Sequence, residues 1–68
     1  MSQSTAERSA AAMWENDRAS QALGMEIASV APGRAVLRMK IRPDMVNGLG
    51  VCHGGYVFTL ADSAFAFA

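Results

Sequence analysis

The most regular feature of the chain is an alternation. Ala35, Leu37, Met39 and Ile41 interleave with Val36, Arg38, Lys40 and Arg42. A period of two predicts a strand with one apolar and one mostly cationic face, ended by Pro43. Residues 25–30 read as a second strand, joined to the first through Ala31-Pro32-Gly33-Arg34. Pro at i+1 and Gly at i+2 are what a type II turn requires, because Gly takes a positive φ there without strain. The two strands should form an antiparallel hairpin. A two-stranded hairpin is marginal alone, so a larger sheet is implied.

The pattern changes period on either side of this hairpin. Ala10, Met13 and Trp14 fall at i, i+3, i+4 and form a short helical stripe, with Ser4 and Glu7 spaced as a capping box before it. Glu15-Asn16-Asp17 interrupts the stripe. Asp17 is placed to cap a second helix over residues 18–23, with Gly24 as its stop. Residues 56–68 form an apolar tract with no Gly or Pro, which predicts a helix. Its apolar positions lie all round, as in a fully buried helix; Thr59, Asp62, Ser63 and Ala66 make its one polar or small stripe. The tract runs to Ala68 without a terminating residue, so the helix is expected to be cut rather than completed.

Composition sharpens that expectation. The chain has 68 residues, 51% of them hydrophobic and 18% charged. A chain this short buries only about 60% of the surface its unfolded form exposes, so the apolar content implies assembly or membership of a longer domain. Six Lys+Arg balance six Asp+Glu, which argues against nucleic-acid binding through a basic field. One Cys and one His give neither a disulfide framework nor a zinc site, and no metal or cofactor is expected. Residues 45–61 carry no formal charge but are broken by Asn47, Gly48, Gly50, His53, Gly54 and Gly55. Residues 56–68 would reach only about 20 Å as a helix, short of a hydrocarbon core of about 30 Å. No membrane span and no signal peptide are predicted; the expected location is the cytoplasm.

Asp62 draws attention because a carboxylate sits on the most apolar element, and unpaired Asp is rarely buried. It is either a functional carboxylate or a cap for a neighbouring loop inside the core. His53-Gly54-Gly55 at the helix start offers free N–H groups and a helix dipole to an oxyanion or a polarised carbonyl; the plainer alternative is a tight turn with His53 satisfied in the core. Asn47 reads most simply as a turn residue beside Gly48. Cys52 beside His53 is better read as a small buried hydrophobe than as a nucleophile. Arg38, Lys40 and Arg42 read as a solvated strand face, Met13 and Trp14 as packing residues. Gly54 and Asp62 are eight residues apart, about 12 Å along a helix. That exceeds the reach of a base to a carbonyl held at its own helix N-terminus. If both serve one substrate, Asp62 must come from a second, antiparallel copy, as a two-fold dimer would supply.

Asn47-x5-His53-Gly54-Gly55-x6-Asp62, followed by Ser63-Ala64-Phe65-Ala66, resembles the hot-dog acyl-CoA thioesterases, and most of all their phenylacetate-pathway branch. Met13-Trp14-Glu15-Asn16-Asp17, Ala22-Leu23-Gly24 and the hairpin share the resemblance. It implies an α+β hot-dog fold, a central helix wrapped by a curved antiparallel sheet, with residues 1–68 as the N-terminal portion of one domain. It further implies hydrolysis of an acyl-CoA, with a preference for an aryl-acetyl or related acyl group, in a homodimer or homotetramer. By the same resemblance the Gly54 N–H polarises the thioester carbonyl and Asp62 of a second subunit acts as base or nucleophile. Asn47 orients water or the carboxylate, and His53 positions the loop and the thioester. The rival expectations are a non-catalytic acyl-CoA-binding module and an inactive fragment.

Overall fold

The computed structural model describes residues 2–68. Helix α1 (Gln3–Asn16) and the short helix α2 (Arg18–Ala22) lead into a hairpin of β1 (Met25–Ala31) and β2 (Arg34–Met39). A single 3-10 turn (Pro43–Met45) and a loop then connect to α3 (Gly54–Phe67).

Helix α1 is capped two residues earlier than the Ser4–Glu7 spacing predicts. Ser2 is the cap, its Oγ accepting the Thr5 N–H at 3.1 Å, and Ser4 lies inside the helix. Glu7 is used differently: its Oε1 accepts from Gln3 Nε2 at 3.0 Å. The helix also runs through Glu15 and Asn16 and breaks only at Asp17. Asp17 then caps α2 as expected, taking the Ser20 N–H at 3.1 Å. Gly24 follows with φ 72°, the left-handed stop for which Gly carries no Cβ penalty.

The hairpin has the predicted antiparallel pairing, Met25 opposite Met39 and Ala31 opposite Arg34. Gly33 has φ 71°, as the turn demands. A register shift between Ile27 and Ser29 leaves Ala28 as an extra residue, a bulge that bends and twists the strand. Strand β2 ends at Met39, before the alternation stops, because β1 has no residue left to pair with Lys40 or Ile41. Arg42 is therefore off the sheet rather than on its solvated face. Its Nη1 donates to the Ala22 carbonyl at 3.1 Å, and its Nε to Asp44 at 3.1 Å. A cation at the end of α2 meets the unpaired carbonyls there.

Helix α3 packs across β2 through Tyr56, Thr59, Leu60, Ser63, Ala64 and Phe67, all buried or half-buried. Ala6 and Ala10 of α1, Met25, Met45 and Phe67 make the small core. Trp14 meets Phe67 at 6.2 Å between ring centroids, tilted by 53°, as its reading as a packing residue implies. Met13 remains 45% exposed.

The expectation of a fully buried α3 does not hold. Val57 is 54% exposed, Phe58 73% and Phe65 84%. Two strands are narrower than the circumference of the helix, so they cover one face and leave the other open. The thinnest extent of the fold is 14 Å, little more than the about 10–12 Å width of one helix with its side chains.

Candidate active site

The loop before α3 is built on Asn47. Its Oδ1 accepts the Leu49 N–H at 2.9 Å and the Val51 N–H at 3.3 Å. Its own N–H donates to the Val51 carbonyl at 2.8 Å. Val46 and Cys52 close the loop as an isolated antiparallel bridge, and Gly50 turns it with φ 80°. The structure thus places Asn47 as a loop organiser, the plainer of its two sequence readings. Cys52 is half-buried and its Sγ lies 3.6 Å from the His53 carbonyl.

His53 is the N-cap of α3. Its backbone N–H is tied to the Met45 carbonyl at 2.7 Å, which fixes the helix start against the 3-10 turn. Its Nδ1 accepts the Gly55 N–H at 3.0 Å. An accepting Nδ1 is an unprotonated one, so Nε2 carries the ring proton. The side chain is exposed, against the alternative of a satisfied core histidine. Tyr56 stands edge-on to the imidazole, with centroids 6.3 Å apart and planes at 84°.

Gly54 follows directly. Among the described residues nothing accepts from its N–H, and a Cβ built there would meet nothing within 4 Å. The first turn of α3 therefore presents an unused donor at an unobstructed helix N-terminus, where the helix dipole also favours negative charge. Gly55 is confined: a Cβ there would come within 3.1 Å of His53 Nδ1. Beside this turn is a cleft of about 440 Å³ lined by Leu23, Met45, Val46, His53, Tyr56 and Thr59, among others.

Asp62 lies on the open face of α3, exposed, with Ala61, Phe58 and Phe65 around it in the helical pattern. No hydrogen bond or ion pair reaches it among the described residues, so it caps no loop in a core. The geometry brings Asn47, His53 and Gly54 together at one end of α3. It keeps Asp62 two turns away along the same helix. Ser20, missed in the sequence, is buried at 2% exposure between α2 and α3; the Asp17-x-x-Ser20 spacing was its one signal. Among the described residues, no group of three or more His, Cys, Asp or Glu side chains is placed to hold a metal ion. No helix there is long and apolar enough to cross a membrane.

No family model matches the sequence. The chain is 49% identical over 61 residues to the acyl-coenzyme A thioesterase PaaI of Escherichia coli (strain K12), covering 90% of this chain and 44% of that protein. Its backbone superposes on the structure of the E. coli PaaI protein from the phenylacetic acid degradation operon with a TM-score of 0.96 and 46% identity. That match covers all of this chain and 49% of the other. The chain is similar, in sequence and in backbone, to about half of PaaI. A putative esterase of Archaeoglobus fulgidus is a further relative, 39% identical over 56 residues, with 82% of this chain and 36% of that protein covered. The chain thus spans about half the length or less of the curated relatives it matches. The hot-dog helix and its first antiparallel pair are both present, as the resemblance implies.

Proposed function

We propose that this chain is the N-terminal portion of a cytoplasmic acyl-CoA thioesterase, which hydrolyses a CoA thioester to a free acid and CoA. The observation that carries this reading is the unused Gly54 N–H at the open start of α3, beside a cleft large enough for an acyl group. A donor held there meets the thioester oxygen as negative charge develops on it. Asp62 removes a proton from water; the water oxygen bonds to the carbonyl carbon, the C–S bond breaks, and the proton passes on to the leaving thiolate.

Asp62 cannot do this at its own Gly54, about 12 Å away along the helix. A second copy with α3 antiparallel supplies it, in a homodimer or within a homotetramer. The exposed Val57, Phe58 and Phe65 give that assembly apolar surface to cover. His53 sets the helix start and Asn47 the loop that flank the thioester. The tyrosine–histidine edge in the cleft and the named pathway of the E. coli relative favour an aryl-acetyl or related acyl group.

Thiol release from a panel of aryl-acetyl and alkyl acyl-CoAs by the full-length protein tests this. Turnover that collapses in Asp62→Asn supports it. Tight acyl-CoA binding without thiol release identifies a binding module instead.

A further inference from the structure

Asp17, Ser20 and Ser63 form a hydrogen-bonded chain between α2 and α3 that the proposed chemistry leaves unused. Ser20 Oγ donates to Asp17 Oδ2 at 2.7 Å. A serine hydroxyl has one proton, so with that proton committed Ser20 Oγ accepts from Ser63 Oγ, 3.0 Å away. The other Asp17 oxygen takes the Ser20 N–H. The chain therefore runs one way, from Ser63 through Ser20 to a carboxylate that also caps α2.

Ser63 is the one residue of the α3 footing whose side chain hydrogen-bonds to another element among the described residues. The Thr59 hydroxyl turns back onto the Gly55 carbonyl of its own helix, and apolar contact is non-directional. Leu60 and Phe67 could keep much of their contact through a small roll of the helix. A hydroxyl pair at 3.0 Å could not, and its partner Ser20 is 2% exposed, where a broken hydrogen bond finds no water. Consecutive helical residues project about 100° apart. Holding Ser63 inward thus holds Asp62 on the open face.

We propose that Asp17, Ser20 and Ser63 are positioning residues that set the roll of α3 and so aim the Asp62 carboxylate. The catalytic half of this inference rests on the thioesterase reading; the roll of the helix does not. Displacing a reacting group by about 1 Å can cost about 10²-fold in rate.

The test compares Ser20→Ala, Ser63→Ala and Ser63→Thr in the full-length protein, with kcat and KM measured well below each melting temperature. Both alanine variants should lose about 10-fold to 10²-fold in kcat with KM little changed. Ser63→Thr, which keeps the hydroxyl, should stay near wild type. A folded Ser20→Ala with unchanged kcat overturns the proposal, as does a Ser63→Thr as slow as Ser63→Ala. Should Ser20→Ala not fold, the half-buried Ser63→Ala carries the same reading. The roll is read separately from the NMR shift of the Ala61 methyl group, which reports its surroundings whether or not a second copy covers that face. Ser20→Ala should displace that signal, and an unchanged shift overturns the relay. If the wild type hydrolyses no thioester, the functional reading fails and the shift alone decides the relay.

Discussion

The Gly55 N–H donates to Nδ1 of His53 at 3.0 Å, and the same ring crowds position 55, where a Cβ would lie 3.1 Å from that nitrogen. The cap and the glycine are one device. His53→Ala removes the acceptor and should destabilise the protein by about 1 kcal/mol. His53→Asn, which can still cap, should recover most of that. Urea unfolding of the three proteins checks both outcomes.

Gly54 and Gly55 should answer differently to alanine. Gly54→Ala meets open space and should leave stability unchanged or slightly raised, since Ala suits a helix better than Gly by up to about 1 kcal/mol. Its methyl nonetheless stands beside the unused N–H and should lower kcat/KM about 10²-fold by displacing the thioester. Gly55→Ala pushes the His53 ring off its nitrogen contact and should lower the melting temperature. Melting curves and steady-state kinetics separate the two.

Asp62→Asn removes a charge from an exposed position where no hydrogen bond or ion pair holds it among the described residues. The melting temperature should hold while kcat falls by about 10²- to 10⁴-fold, the span general acid–base catalysis contributes. Mixing Asp62→Asn with Gly54→Ala protein should restore part of the activity, because one mixed interface then carries an intact Gly54 and an intact Asp62. A mixture no better than its components contradicts the cross-subunit arrangement.

Gly33 tests the hairpin alone. With φ 71°, Gly33→Ala forces a Cβ into left-handed backbone at about 1–2 kcal/mol. Chemical denaturation should show that loss without any change in KM, since the turn is remote from the α3 start.

How much of this was legible in the sequence depends on whether the cause was local. The Pro32-Gly33 turn, the Asp17 cap and the Gly24 stop each follow from one or two residues, and each stands where the sequence places it. The α1 cap at Ser2 rather than Ser4 was not legible, because both serines are good N-caps, only Ser4 has a glutamate three residues on, and Gln3 takes up that glutamate. The end of β2 at Met39 depends on the length of its partner strand, which alternation within β2 does not encode. The exposure of Asp62 and Phe65 depends on how much sheet surrounds α3. Their apolar neighbours in sequence predicted burial, but burial belongs to the assembled surroundings. At the site, the helix start over Gly54 and Gly55 was readable, while the turn of the His53 ring onto Gly55 was visible only in three dimensions.

Trp14 is the chain's one tryptophan, and its ring rests on Phe67 near the far end of α3. The hairpin closes through a two-residue turn and α1 meets β1 nearby, whereas Trp14–Phe67 and Ser20–Ser63 close far longer loops. Loop closure at such separation comes late, because its entropy is lost before any contact rewards it. Indole emission therefore includes the arrival of α3 among the events it reports, and a stopped-flow refolding trace that compares wild type with Phe67→Leu isolates the part due to the helix that carries the chemistry.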